Sequence, residues 1–193
     1  AKINSFGSVA MGGVTAYSKI DGFNYMPTMA LGLACTTFVG QNVGAGKYDR
    51  VKKGVRTCLM LALGVSVIVS GCVVLFIDPM IGLFTDTPET AEFAKKMMWY
   101  MAPFAWTFVF SDTLGGALRG SGAAVPVTVI SAMCICVFRV IWLEVMLSII
   151  RDIRIVFMCY PISWLMSSAV MIIYYLRFSA VRRAMKSTGA VQE

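Results

Sequence analysis

Histidine is absent from the 193-residue sequence and charge is scarce, with 14% of residues Asp, Glu, Lys or Arg. A soluble domain carries roughly 25%. The missing imidazole removes the usual zinc ligand, the Ser-His-Asp triad and the commonest general base. The shortage of charge leaves too little polar surface for a water-soluble fold. It argues against a nucleic-acid-binding domain, a disordered chain and a disulfide scaffold. Clustered carboxylates and nucleophile-plus-base pairs are also missing, so the chain is not expected to be an enzyme, and no cofactor is expected. What abounds is apolar: residues of the set AVILMFWYC make up 58%, and mean hydropathy is +0.76. The chain begins Ala1-Lys2-Ile3, with no initiator Met and no signal-peptide layout, and is expected to be a piece of something longer.

The apolar residues come in runs. Segments 22–46, 57–77, 120–138 and 155–176 contain no charged residue, and 97–118 contains one, Asp112. A bilayer core about 30 Å thick is crossed by about 20 apolar helical residues. The runs lack the alternation of a barrel strand, and only helices or closed barrels satisfy the backbone in lipid. The expected fold class is therefore all-α, a polytopic transmembrane bundle of about five helices: 8–43, 55–77, 93–118, 122–149 and 155–177. The first exceeds one straight span, and Pro27 is expected to kink it.

Orientation follows from Lys and Arg in the connections. Segment 46–56 holds Lys47, Arg50, Lys52, Lys53 and Arg56, the end of the chain adds Arg177, Arg182, Arg183 and Lys186, and the turn at 119–121 adds Arg119: ten in all. The alternate connections hold five, Lys2, Lys95, Lys96, Arg151 and Arg154, diluted by acids. The expectation is a cytoplasmic C-terminus, with 184–193 as a cytoplasmic tail, and an outside Ala1 that implies a preceding helix.

All six cysteines lie inside the spans and read as small apolar residues. Cys134 and Cys136 point about 200° apart on a helix, a poor metal pair. Ionisable groups within a span are functional candidates by default. Asp112 lies about 10 Å along the helix from Arg119, on the same face as Phe104 and Phe108. It reads either as a carboxylate that carries a proton or holds a cation, or as an acid neutralised by Arg119 or by a neighbouring helix. Asp21 belongs to a polar stripe, Tyr17, Asp21, Asn24 and Thr28, on one helix face. It reads as the lining of an outward vestibule or as an interfacial acid beside a snorkelling Lys19. Arg139 and Glu144 read as the outer end of the fourth helix, snorkelling or locally paired. Met101-Ala102-Pro103 and Tyr160-Pro161 interrupt helices at bilayer depth, where irregular backbone either lines a cavity or is a packing kink.

Two glycine motifs close helices. Gly40-Gln41-Asn42-Val43-Gly44-Ala45-Gly46 precedes the basic segment, and Gly116-Ala117-Leu118-Arg119-Gly120-Ser121-Gly122 ends the third span. Gly40-xxx-Gly44 and Gly116-xxx-Gly120 permit close helix approach. Their order and spacing, over about residues 5–183, resemble the multidrug and toxic compound extrusion (MATE) family. Tyr160-Pro161-Ile162-Ser163-Trp164 is similar to the branch found in Gram-positive and related gut bacteria.

The resemblance implies residues 1–183 of a partial C-terminal lobe from a twelve-helix transporter whose two six-helix halves rock between outward- and inward-open states. It implies a secondary active antiporter in a bacterial plasma membrane, exporting organic, often cationic, compounds in exchange for H+ or Na+. The implied partners are the bilayer, a missing N-terminal lobe and small organic substrates, with no nucleic acid. The candidate coupling and substrate residues are Asp112, Asp21, Asn24, Tyr17 and Phe108. Gly40, Gly44, Gly46, Gly116 and Gly120 are implied to be packing and turn elements. In members that carry a coupling acid on the Asp112 helix, that acid lies further upstream of the Gly-Ala-Leu-Arg motif. Two alternatives stand beside the antiporter: a lipid-linked precursor flippase of the same superfamily, and a truncated, non-transporting membrane protein.

Overall fold

A computed structural model describes residues 7–150 and 152–178; the expected tail, 184–193, lies outside them. The described residues form helices joined by short turns: α1 (Ser8–Gly44), α2 (Tyr48–Leu75), α3 (Ile77–Gly82), α4 (Pro88–Met101), α5 (Ala105–Gly120), α6 (Ala124–Ser131), α7 (Phe138–Ile149) and α8 (Ile153–Phe178). A 3-10 turn, Ala102–Phe104, joins α4 to α5, and a π-helical stretch, Ala132–Val137, joins α6 to α7. The protein is an all-α membrane helix bundle.

Some boundaries and pitches differ from expectation. The second helix begins at Tyr48 rather than 55, so Lys52, Lys53 and Arg56 lie on its first turns instead of in a loop. It ends at Leu75, and the short α3, with Pro79 in its first turn, follows after Phe76. The span expected as 93–118 starts at Pro88 and is interrupted by the 3-10 turn at Pro103, because proline donates no backbone N–H to a continuous helix. The fourth span likewise changes pitch through its π-helical stretch, which contains Cys134 and Cys136.

By length and composition, three helical segments can each cross a membrane alone: Tyr48–Leu75, Ala124–Ile149 and Ile153–Arg177. The most apolar stretches of the first two are only 17% and 11% buried within the protein, against 50% for the third. The first two therefore form an apolar outer surface. The more polar α1 and the interrupted α4–α5 segment lie inside, where α1 packs against α5, α2 and α4, and α5 against α8. Large apolar side chains stay exposed on the outer helices, among them Leu75 and Ile149, and also on the outward face of α1, at Met26 and Leu33.

α1 has 37 residues and is about 55 Å long, well over the thickness of a bilayer core of about 30 Å. It is helical throughout, including Pro27. Its buried positions, among them Gly13, Ala16, Tyr17, Ile20, Thr28, Gly32, Cys35 and Val39, recur every three or four residues, the spacing of one helix face. Two buried clusters divide this face. One gathers Tyr17, Ile20, Met97, Met98, Met101, Phe157 and Trp164; the other gathers Cys35, Val39, Val51, Leu114, Ala117, Leu118 and Met171.

Hydroxyls tie the interior helices together. Ser111 and Ser167 share a hydrogen bond of 2.6 Å between α5 and α8, and the Ser168 hydroxyl donates to the Thr107 carbonyl. Without water as competitor, such pairs and close backbone approach replace the hydrophobic effect between membrane helices.

Candidate transport cleft

The polar stripe of α1 is where the bundle opens. Tyr17 and Thr28 are buried, each with 3% of its surface exposed, and Asp21 and Asn24 are half-buried between them. Two small clefts meet at Asp21 and Asn24. One is lined by Tyr25, Thr28, Ser66, Ala105, Phe108 and Trp164 as well, the other by Tyr17, Ser70, Val73, Met98, Met101 and Ala102. The Asn24 Nδ2 donates to the Ser70 Oγ of α2 at 3.1 Å, while Asn24 Oδ1 is buried with no hydrogen-bond partner. A buried amide oxygen without a donor costs free energy and is free to accept from, or coordinate, an incoming group.

Aromatic rings wall the first cleft. Tyr25 and Phe108 meet edge to face at 4.9 Å, and Trp164 lies 6.3 Å from each. Tyr160 extends the cluster to Trp164 at 6.4 Å. Ring faces carry partial negative charge and attract cations, so a carboxylate beside this box suits an organic cation.

The structure separates the two candidate acids. Asp21 and Asp112 do not share a cleft: Phe108 reaches the Asp21 side, and Asp112, one turn further along α5, points at α1 where a Cβ on Gly32 would collide with its carboxylate. Gly32 is eleven residues beyond Asp21, about 16 Å along α1. Asp112 Oδ2 is buried without a hydrogen-bond partner. Among the described residues no ion pair joins Asp112 to Arg119; the ion pairs there are Lys95–Asp78 and Lys96–Glu92. Phe104, expected on the Asp112 face, lies in the 3-10 turn and is exposed.

The two glycine motifs also part company. Gly116 lies so close to α1 that a Cβ there would strike the Gly32 carbonyl, and one on Gly120 would strike the Thr36 carbonyl. Gly40 faces the Gly120 carbonyl at an ordinary 3.5 Å for its would-be Cβ, and Gly44 faces open space. The close crossing is thus made by Gly32, Thr36 and Gly40 against Asp112, Gly116 and Gly120, not by a Gly40–Gly44 pair. Gly46 serves the turn, with φ +68, a conformation that side chains with a Cβ rarely adopt.

Several participants were not evident from sequence. Ser66 and Ser70 read as unremarkable residues of an apolar run, although their spacing puts them on one helix face. Tyr25 sits one turn past Asp21, and Trp164 closes a motif noted only for its family pattern. Arg139 turns inward: its Nε donates to Ser163 Oγ at 2.9 Å, and its guanidinium lies 4.3 Å over the Tyr160 ring. That is a local pair with α8.

Comparison with known proteins follows the same lines. The MatE protein-family model matches residues 2–145. A probable multidrug resistance protein NorM of Thermotoga maritima is 29% identical over 133 residues, covering 69% of this chain and 29% of that protein. The multidrug and toxin extrusion protein 2 of Mus musculus is 29% identical over 99 residues, 51% of this chain and 17% of that protein. A solved structure described as the outward-facing conformation of a multidrug resistance MATE family transporter superimposes with a TM-score of 0.84 at 16% identity, over 94% of this chain and 41% of that one. The chain thus spans well under half the length of these proteins. The glycine crossing of α1 and α5, an apolar outer surface and a family match over well more than half of the sequence lead to one conclusion: this chain belongs to the MatE family of membrane transporters.

Proposed function

We propose that the chain forms one lobe of a secondary active antiporter that exports organic, often cationic, compounds across a bacterial plasma membrane in exchange for H+ or Na+. The other lobe would come from sequence beyond this chain, and the C-terminus would be cytoplasmic, as the Lys and Arg distribution suggests. The observation that carries the reading is the meeting of Asp21 and the unpartnered Asn24 oxygen with the Tyr25–Phe108–Trp164 box. It unites a carboxylate, an open acceptor and aromatic faces in one interior cleft. The names of the relatives, as multidrug resistance and extrusion proteins, support the same chemistry.

Coupling requires that a cation bind one state of the transporter more tightly than the other, since a ligand with equal affinity for both shifts nothing. Asp21 is the leading coupling group, because it borders both small clefts, each of about 10 Å3, room for about one water-sized ligand. Asp112 is a second one, set against the α1–α5 crossing, where binding or protonation bears directly on helix approach. Arg139 is engaged by Ser163 and Tyr160 and lines neither cleft, so the flippase alternative, which needs a cationic cavity, draws no support from it.

The test is gradient-driven efflux of a fluorescent organic cation by the full-length protein in proteoliposomes. Asp21→Asn should lower the rate at least tenfold with normal membrane yield. Wild-type flux in both Asp21→Asn and Asp112→Asn would sink the coupling assignment. No flux from the wild-type protein under an H+ or a Na+ gradient would sink the antiporter itself.

A further inference from the structure

A second, larger cleft lies away from the Asp21 site. It encloses about 310 Å3 between α2, α5 and α8, and its lining is Lys52, Arg56 and a set of apolar or aromatic side chains that includes Leu59, Phe110, Leu114 and Tyr175. We propose that this cleft binds one anionic phospholipid from the surrounding leaflet, its phosphate on Lys52 and Arg56 and part of an acyl chain along Leu59, Phe110 and Leu114.

Depth supports this. Arg119 and Arg177 mark the polar ends of α5 and α8. Leu114 and Phe110 lie about 7 and 13 Å below Arg119 along the helix, in hydrocarbon, whereas Lys52 and Arg56 occupy the first turns of α2. The cleft therefore runs from headgroup level into the acyl region, charged at one end and apolar at the other. Its volume falls in the ordinary range for ligand sites. Charge supports it too. Lys52 and Arg56 are four residues apart on one helix face, an arrangement in which like charges repel. No acid lines the cleft, and neither base is in an ion pair among the described residues. A phosphate between them relieves that repulsion, and basic pockets between membrane helices recognise anionic headgroups in this way. Arg50 and Lys53, equally basic neighbours, do not line the cleft and supply an internal control.

The inference depends on the chain lying in a bilayer, not on transport. The experiment is native mass spectrometry of the full-length protein released from nanodiscs of mixed phosphatidylglycerol and phosphatidylcholine with identical acyl chains. The same lipids in both leaflets make the result independent of orientation. The wild type is expected to retain phosphatidylglycerol preferentially. Lys52→Gln with Arg56→Gln should reduce that preference about twenty-five-fold, at about fivefold per charge, while Arg50→Gln with Lys53→Gln leaves it near the wild-type value. Leu59→Trp, which fills the apolar part without altering charge, should lower retention of phosphatidylglycerol. Equal losses in the two charge pairs would mean a diffuse basic surface and overturn the site. So would absence of any preference in the wild type, as expected if another part of the protein covers the cleft. Unchanged retention in Leu59→Trp would overturn the acyl-chain placement.

Discussion

The two halves of the α1–α5 interface are built on opposite principles. Around Tyr17–Thr28, large side chains hold the helices apart: Tyr25, Phe108, Trp164 and three methionines pack round polar groups and leave clefts between them. Around Gly32–Gly40, small residues bring backbones into contact, and the one large polar group, Asp112, is pressed against a glycine. Bulky rings do not close every gap, so the first half keeps two small clefts of about 10 Å3 each. The second half is a close seam that leaves no room for a Cβ at Gly116 or Gly120. The same two helices thus border clefts at one end and meet backbone to backbone at the other.

The strongest way to break this contrast is to enlarge the seam. Gly116→Val or Gly120→Val would drive a side chain into the α1 backbone, costing at least the 1–3 kcal/mol of core overpacking. Thermal unfolding in detergent and membrane yield should both fall sharply. Gly44→Ala, in the companion motif but facing open space, should be neutral or raise stability by about 0.5–1 kcal/mol. A Gly44→Ala loss as large as that of Gly116→Val would erase the distinction between the motifs.

Function sharpens the same comparison. Phe108→Ala, which opens the aromatic box, should weaken the apparent affinity for an aromatic cation by about 0.5–2 kcal/mol, the scale of a cation–π contact. It should leave the melting temperature closer to wild type than the seam variants do. Competition binding with a fluorescent cation reads the first, and the detergent melt the second. Next in size, Ser111→Ala with Ser167→Ala removes both ends of the α5–α8 hydrogen bond and should cost about 0.6 kcal/mol and no more than about 1.7, the average and the maximum measured for such pairs in membrane helices. A melt indistinguishable from wild type would show that the Ser111–Ser167 bond does not help to hold α8.

The smallest effect lies outside the bundle interior. Lys96, 2.8 Å from the fully exposed Glu92, holds that carboxyl below the usual range. The pair's contribution is present above the unfolded carboxyl's pKa and is lost as pH falls through the lower, folded value. Titrating Glu92 by NMR in wild type and in Lys96→Met should show the value rise in the variant, with no change in efflux.

Much of the membrane architecture was legible in the residues because the bilayer imposes length and apolarity on each segment separately. The run at 155–176 lies inside α8, that at 57–77 lies in α2 but for its last two residues, and the polar stripe of α1 was visible as a helical spacing that only an interior face tolerates. Local geometry was less legible. Pro103 interrupts its helix as its sequence suggests, but Tyr160-Pro161 does not, since α8 runs unbroken through Pro161; the Cys134–Cys136 stretch changes helix pitch without interrupting hydropathy, and the basic residues after Gly46 read as a loop although Lys52 and Arg56 extend a helix. The cleft was half legible: Tyr17, Asp21 and Asn24 came from one helix, but Ser66, Ser70 and Trp164 arrive from α2 and α8.

By itself, the sequence determined that the chain is a helical membrane protein, where polar groups are concentrated along α1, and which motifs tie it to its family. Those properties depend on composition and on spacing within single helices. Only the tertiary structure decided that Asp21 faces a cleft while Asp112 faces a glycine, and that Gly116 and Gly120 are indispensable to the crossing where Gly44 is not. Helix rotation and crossing depth set those contacts, and they arise from the simultaneous packing of α1, α2, α5 and α8, which no single segment encodes.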